Sequence, residues 1–257
     1  MMPAKLTKLN QSVEKSIQIV EIMSREKGPM RLQDIALKCE MPASTVLRMV
    51  NTLLVYGYVV QDPRTQRYAL SMKFARLGSR ICGQFSLRDA AHPLLVELSQ
   101  SCQEMASLGC EDGMEVVYTD VVEGQDDVVR RLGARLPMHS TGVGKLLLLN
   151  YDSRQLNEYI AAKGLPALTP NTLVTREDLE AGLDEARTRG YALDDEECEL
   201  GARCVAAPVR DWSGHIVAAI SVSGPVSRMS MEHIRDILPL VQQTADGISR
   251  RMAYEGV

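Results

Sequence analysis

The chain has 257 residues, of which 45% are hydrophobic and 24% are charged, with a formal net charge of −4. This length allows one large or two modest domains, and the composition is that of an ordinary globular protein. No apolar run approaches the ~20 residues of a membrane-spanning helix, and the polar amino terminus lacks the apolar core of a secretion signal, so we expect a cytoplasmic protein without a membrane partner.

The charged residues are distributed unevenly along the chain. Residues 1–80 hold 13 Lys or Arg against 6 Asp or Glu, whereas residues 81–257 hold 16 against 27. The first part therefore carries +7 and the second −11, which together give the net −4. A basic segment joined to an acidic remainder is typical of a DNA-binding domain attached to a domain that does not bind DNA.

The basic part begins with a predicted helix. Residues 1–11 show no helical periodicity, and we expect a disordered leader there. Ser12 is placed to cap a helix that turns Val13, Ile17 and Val20 inward. This helix would complete a three-helix domain with the two helices that follow.

Residues 31–56 predict two short helices joined by a tight turn. The second has Pro42 at its first position, where a missing N–H costs nothing, and Gly57 after its end. Its apolar stripe consists of Val46, Met49, Val50, Leu53 and Leu54. Its opposite, polar face carries Ser44, Thr45, Arg48, Asn51 and Thr52. Two helices joined in this way form a helix-turn-helix, whose second helix enters the major groove of DNA.

The polar face offers several kinds of DNA contact. Arg48 can pair in a bidentate manner with guanine or bind a phosphate, and both roles stay open. Ser44 and Thr45 lie near the start of the helix and suit phosphates better than bases. Asn51 is able to reach adenine, although it lies far along the helix.

The residues after the second helix predict a β-hairpin. Two short strands flank Asp62 and Pro63, which together mark a turn. Arg64 and Arg67 lie near the hairpin tip, where they can contact phosphates or the minor groove. The sequence therefore predicts a winged helix-turn-helix.

The remainder of the chain predicts an α+β domain. Residues 71–83 form an amphipathic helix, which is the candidate linker. Strand-like runs occupy residues 105–109, 114–122, 128–132, 204–209 and 216–223. Helices are predicted at 87–103, 153–163, 176–189 and 230–252, and a loop at 140–144 opens one more helix that ends near residue 149. We expect one antiparallel sheet with helices packed on it, the arrangement of a sensor domain.

Two other classes of function remain as alternatives. The six cysteines are widely spaced, which argues against a disulfide framework or a zinc site. A metal- or redox-responsive regulator would use Cys198 and Cys204. A remote alternative is an enzyme with Cys204 as nucleophile, His139 as base and Asp194 as orienter, but no nucleophile-elbow motif supports it.

The acidic cluster at residues 194–197 is the remaining candidate for a metal. The favoured interpretation is a solvated acidic turn with one inward carboxylate, and Asp194 would then orient backbone or receive a ligand hydroxyl. We therefore predict no metal and no cofactor.

Three stretches resemble the IclR family of bacterial transcriptional regulators. They are MPASTVLRMVNTLLVYGYV, RLPMHSTGVGK and GYALDDEECELGARCVAAPVRDWSGHIVAAISVSGP. The resemblance implies a winged helix-turn-helix in residues 1–70, a linker helix in 71–86 and a GAF-like effector-binding domain in 87–257. It also implies a homodimer or homotetramer that binds a pseudo-palindromic DNA operator and represses or activates catabolic genes.

The same resemblance implies a pocket for a small effector, usually a small carboxylate or an aromatic acid. Carried over by motif, its residues are Leu136, Gly142, Val143, Asp194, Ala202, Cys204, Ser221 and Ser223. The physics is consistent with this, because Ser221 and Ser223 are two positions apart and point to one face of a strand. The glycine loop can also present backbone N–H groups at a helix start, which favours a carboxylate.

Overall fold

The computed structural model describes residues 9–82, 86–124 and 132–254, with only the backbone described at 79–82. The chain divides into two compact units, with the boundary between residues 85 and 86. The predicted leader lies mostly outside the described residues. So does the strand predicted at 128–132, apart from Leu132, which belongs to a turn.

Three helices form the core of the first unit. They are α1 (Gln11–Arg25), α2 (Leu32–Lys38) and α3 (Ala43–Val55). The short segment between α2 and α3 makes the tight turn of a helix-turn-helix. Ile35 of α2 and Val46 and Val50 of α3 are buried together, as predicted.

Two predictions about α1 are wrong. Asn10, not Ser12, caps the helix, because its side-chain Oδ1 accepts hydrogen bonds from the backbone N–H of Ser12 at 3.0 Å and of Val13 at 3.4 Å. Val13 and Ile17 are 55% and 53% exposed. The helix has apolar residues on more than one side, and the core takes the side with Ile19 and Met23.

Helix α3 differs from its prediction in two details. It begins at Ala43, so that Pro42 is the capping residue rather than the first helical one. Leu54, predicted inward, is exposed at the end of the stripe, while Leu53 packs against the core. Gly57 has a φ of +72°, a conformation that ends a helix at little cost when the residue is glycine.

The predicted hairpin follows α3. Its strands β1 (Val59–Gln61) and β2 (Tyr68–Leu70) pair antiparallel. Asp62 holds the turn, because its carboxylate accepts the backbone N–H of Arg64 at 2.7 Å and of Thr65 at 3.1 Å. Helix α4 (Lys73–Cys82) comes next, and its role as a linker remains a prediction.

A six-stranded antiparallel sheet forms the centre of the second unit. Its strands are β3 (Met105–Glu111), β4 (Glu115–Val122), β5 (Arg135–Pro137), β6 (Ala192–Asp195), β7 (Ala202–Arg210) and β8 (Ile216–Pro225). They lie in the order β5-β4-β3-β8-β7-β6. Strand β5 was not predicted, because three residues are too few to show an alternating pattern.

Helices cover both faces of this sheet. One face carries α5 (Leu87–Cys102) and α9 (Met231–Arg251), and the other carries α6 (Gly142–Leu148), α7 (Ser153–Lys163) and α8 (Arg176–Arg189). Pro93 lies inside α5 without breaking it. The α+β architecture is confirmed. None of the helices within the described residues is long and apolar enough to cross a membrane.

Helix α6 lies unusually close to its neighbours. A Cβ atom added to Gly144 would overlap the backbone of Met138. A Cβ on Gly109 of β3 would lie 2.8 Å from Cγ1 of Val143, closer than real Cβ atoms approach. The glycines therefore let α6 pack directly onto the sheet.

We expect Gly144→Ala to lower the free energy of unfolding of the second unit by about 3 kcal/mol, because Met138 can relieve the overlap only by moving its backbone. Chemical denaturation of the full chain measures this. The matched control is Gly78→Ala in α4, where the added methyl group meets nothing within 4 Å. It should be neutral or stabilise by about 0.5–1 kcal/mol. Equal effects of the two changes would contradict the close approach.

Candidate nucleic-acid interface and effector face

The predicted DNA-contact residues of α3 lie on its exposed side. Ser44, Arg48, Asn51 and Thr52 are exposed, and Thr45 is half-buried. The hydroxyl of Thr52 donates to the backbone oxygen of Arg48 at 3.0 Å. Thr52 can therefore still accept a hydrogen bond, whereas its donor is already used. The side chains of Ser44, Arg48 and Asn51 make no hydrogen bond to another described residue, which leaves their polar groups available for DNA.

The two arginines of the hairpin are also exposed. Arg64 lies in the turn that Asp62 fixes, so that its backbone position is well defined. Arg67 donates from Nη1 to the backbone oxygen of Pro29 at 3.4 Å, a long hydrogen bond. Of the two, Arg64 is less engaged within the protein and thus better placed to contact a phosphate.

Most of the predicted effector residues share the sheet face that α6 covers. Cys204 of β7 pairs in register with Asp194 of β6 and with Ser223 of β8. Directly paired residues of antiparallel strands point to the same face, so these three form one row. A Cβ on Gly142 would lie 3.2 Å from Sγ of Cys204, which places the start of α6 over this row.

A second row of the same face carries a pair of hydroxyl groups. Ser221 pairs in register with Ser107 of β3, and their Oγ atoms lie 2.9 Å apart with both side chains fully buried. The hydroxyl of Ser223, also buried, has no hydrogen-bond partner among the described residues. Ser107 carries no motif in the sequence, and only the pairing of β3 with β8 reveals its position beside Ser221.

The remaining predicted effector residues lie at the two sides of this face. Val143 is buried against Gly109 and Val116, and Leu136 of β5 pairs in register with Val116. Ala202 begins β7 and, two positions before Cys204, shares its face. The face is therefore apolar toward β5 and hydroxyl-rich toward β8.

The carboxylate of Asp194 is engaged in hydrogen bonds within the turn that follows it. Its Oδ1 atom accepts the backbone N–H of Glu197 at 2.9 Å and of Cys198 at 3.1 Å. Of the two roles considered for Asp194, orienting backbone is the one that these contacts supply. The carboxylate fixes the conformation of residues 194–198.

The prediction of a solvated acidic turn with one inward carboxylate is wrong, because both Asp194 and Glu197 are buried. The Glu197 carboxylate accepts a hydrogen bond from Nζ of Lys145 in α6 at 2.6 Å. Burial raises the pKa of Glu197, and the ammonium group of Lys145 opposes that rise. Asp195 is partly exposed and pairs with Arg203 at 2.7 Å.

Both ring nitrogens of His139, the residue considered as a catalytic base, are engaged in hydrogen bonds within the protein. Nε2 of His139 lies 3.1 Å from the carbonyl oxygen of Pro166, which can only accept, so that nitrogen must carry the proton. Nδ1 lies 3.2 Å from the hydroxyl of Tyr159 and accepts from it. Burial lowers the pKa of His139, and the ring is a neutral structural group. Within the described ranges, no three His, Cys, Asp or Glu side chains are grouped to hold a metal.

Two family models match successive parts of the chain. Residues 12–63 match the IclR helix-turn-helix domain. Residues 80–250 match the domain described as bacterial transcriptional regulator IclR C-terminal. Together they cover both compact units.

Similar curated proteins have nearly the same length. The HTH-type transcriptional regulator XynR of Escherichia coli strain K12 is 34% identical over 246 residues, which cover 95% of this chain and 98% of XynR. The HTH-type transcriptional regulator KdgR of the same strain is 31% identical over 255 residues, which cover 98% and 97%. These similarities lend no support to a metal- or redox-responsive regulator built on Cys198 and Cys204.

Solved structures agree with the sequence matches. The IclR protein of Thermotoga maritima is 32% identical with a TM-score of 0.63, over 95% of this chain and 99% of that one. The repressor BlcR of Agobacterium tumefaciens has a TM-score of 0.77 at 20% identity over 97% and 100%, which supports the fold. The chain belongs to the IclR family of bacterial transcriptional regulators, and it is a DNA-binding regulator rather than an enzyme.

Proposed function

We propose that this regulator controls catabolic genes in the cytoplasm by binding a pseudo-palindromic operator and a small carboxylate or aromatic acid. One observation carries the proposal. The chain combines a helix-turn-helix that exposes its polar face with a sheet face that buries hydroxyl groups, one of them unpartnered within the described chain. The first suits DNA, and the second suits a small polar ligand.

The DNA-binding part of the proposal rests on α3 and the hairpin. Arg48 and Asn51 lie on the exposed side of α3, and a helix in the major groove reads base edges with side chains of this kind. Ser44, Thr45 and Thr52 position the helix on phosphates, and Arg64 and Arg67 extend the contact to the flanking backbone.

A symmetric assembly follows from the small size of one recognition helix. A single helix contacts only a few base pairs, and a second copy at a related half-site multiplies the specificity. The chain therefore acts as a homodimer or homotetramer. In such an assembly residues 1–70 bind DNA, residues 71–86 form the linker and residues 87–257 bind the effector.

The effector-binding part of the proposal rests on the sheet face beneath α6. Buried hydroxyl groups almost always have hydrogen-bond partners in folded proteins, so the hydroxyl of Ser223 is a natural position for a ligand oxygen. Leu136, Val143 and Ala202 supply apolar sides for the ligand, and Gly142 and Cys204 leave its centre free of bulky groups. Ser221, together with Ser107, extends the polar part.

Regulation requires that the effector distinguish two states. A ligand shifts an equilibrium only by the difference between its affinities for the two arrangements of the protein. Asp194 lies in the same row as Ser223 and fixes the 194–198 turn. A ligand under α6 therefore touches elements that can transmit its presence through the domain.

We expect Arg48→Ala to weaken binding to the specific operator by about 1–3 kcal/mol while affinity for random DNA changes little, because the side chain reads a base. Fluorescence anisotropy on both DNAs measures this. The matched control is Arg25→Ala, which removes the same charge from an exposed position at the end of α1. Equal losses on the two DNAs would assign Arg48 to a phosphate.

We expect Arg64→Ala to change the salt dependence of operator binding. Each neutralised phosphate contributes about 0.9 to the slope of log K against log salt concentration, so that losing one contact lowers the slope by about 1. Arg25→Ala again serves as the control. An unchanged slope for Arg64→Ala would show that the hairpin tip makes no phosphate contact.

We expect Ser223→Ala to leave the stability of the free protein unchanged or higher, because the hydroxyl has no hydrogen-bond partner among the described residues. Effector affinity should fall about tenfold, the value of one hydrogen bond. The effector is first identified by a thermal-shift screen of 2-oxo acids, sugar acids and aromatic acids against the full chain.

The control for this variant is Ser221→Ala, which removes a hydroxyl paired with that of Ser107. Loss of a buried hydrogen bond should lower the free energy of unfolding by about 1 kcal/mol. An effector that binds Ser223→Ala as tightly as the natural protein would place the pocket elsewhere. No stabilisation by any of the three acid classes would contradict the acid-sensor proposal while leaving DNA binding intact.

A further inference from the structure

A cavity lies at the outer edge of the sheet, between β6 and α8. It has a volume of about 540 Å³, within the range of small-molecule sites. Lys145 and Glu197 line it from α6 and from the turn after β6, and Ala181 and Arg189 line it from α8. None of the residues predicted to bind the effector lines this cleft.

The buried ion pair of Lys145 and Glu197 is the central feature of the cleft. Both side chains are largely withdrawn from solvent, with Lys145 6% and Glu197 8% exposed, and their charged atoms lie 2.6 Å apart. The backbone holds Glu197 rigidly. Its N–H donates to Asp194, and its carbonyl oxygen accepts from the hydroxyl of Thr172 at 2.7 Å. These contacts fix the backbone of Glu197, and Lys145 holds one oxygen of its carboxylate.

This carboxylate is only half satisfied. Oε1 of Glu197 accepts from Lys145, but Oε2 is buried without a hydrogen-bond partner among the described residues. Unpartnered buried carboxylate oxygens are rare in native proteins, because such an oxygen loses its hydration and gains nothing in return. Because Glu197 also lines a cleft, this oxygen is a position where a hydrogen-bond donor of a ligand would bind.

The charges around the cleft indicate which donor fits. Its lining contains two cationic side chains, Lys145 and Arg189. It contains four carboxylates, on Asp178, Glu185, Asp195 and Glu197. Both cations are already paired, Lys145 with Glu197 and Arg189 with Glu185. Asp195 is in turn paired with Arg203, so that Asp178 is the lining carboxylate without a cationic partner among the described residues. This remaining negative charge favours a ligand that brings a positive charge together with N–H donors.

We propose that this cleft is a second ligand site, which binds a small primary amine through its ammonium group. One N–H of the ammonium donates to Oε2 of Glu197, and its charge is compensated by the carboxylate of Asp178, which also lines the cleft. The positive charge of Lys145 does not exclude the amine, since Oε1 of Glu197 neutralises it. The site is separate from the effector face, although the 194–198 turn contributes to both.

The test is isothermal titration of the full chain with 1,4-diaminobutane at constant ionic strength. The neutral analogue 1,4-butanediol has the same chain length and the same number of donor groups without charge. We expect saturable binding of the diamine and at least tenfold weaker binding of the diol. Absence of saturable diamine binding, or equal binding of diamine and diol, would overturn the proposal.

Two variants locate the binding. Glu197→Gln removes the charge at nearly constant size and should weaken diamine binding at least tenfold. Its matched control, Glu199→Gln, removes the same charge from an exposed residue just beyond this turn and should leave binding unchanged. Equal binding by both variants would show that the diamine attaches to the general acidic surface and would overturn the site.

A third variant covers the possibility that Glu197→Gln fails to fold because Lys145 loses its buried partner. Ala181→Trp places a bulky ring at an exposed position of α8 that lines the cleft, and it leaves both residues of the ion pair in place. It should abolish diamine binding and leave the circular dichroism and the melting temperature unchanged. Retained binding by this folded variant would refute the cleft as the site.

Discussion

The second unit depends on how closely α6 approaches its neighbours. Gly144 packs against the backbone of Met138 at a distance that no larger side chain permits. Gly142 lies over Cys204 and Ala206, where an added Cβ would be crowded at 3.2 Å from each side chain. Close packing of this kind transmits changes, because a well-packed interior cannot deform smoothly. The helix therefore lies directly over the proposed effector face. Small residues on the sheet and on the helix are both needed for this arrangement.

A buried polar framework holds the other end of α6. Lys145 joins the helix to Glu197, and Asp194 and Thr172 hold the backbone of Glu197 in turn. A buried ion pair is expensive to desolvate, and replacing such a pair by apolar groups often costs no stability. A contribution to the stability of the fold therefore does not by itself explain why this ion pair is buried. The pair fixes the position of α6 relative to the turn after β6.

The sequence specifies some elements far better than others. The helices at 153–163 and 176–189 were predicted to the residue, because Asp152 and Thr175 cap their starts and Gly164 and Gly190 follow their ends. The inward face of α1 was predicted wrongly, since its apolar residues lie on more than one side and only the tertiary core selects between them. β5 and the partner of Ser221 depend on pairing between distant strands, which no local pattern encodes.

The proposed DNA-contact surface and the proposed effector face also differ in how well the local sequence predicts them. The DNA surface uses one helix and one hairpin within about 25 residues, so helical periodicity alone separates its polar face from the core. The effector face combines β-strands whose pairing residues run from Ser107 to Ser223, and the register of those strands decides which side chains meet. Substitutions on that face would change the proposed ligand contacts without changing the register of the strands or the sequence of the helix-turn-helix. Ligand specificity can therefore vary within the family while the DNA-binding architecture stays the same, which is why the residue pattern identified the regulator more readily than its effector.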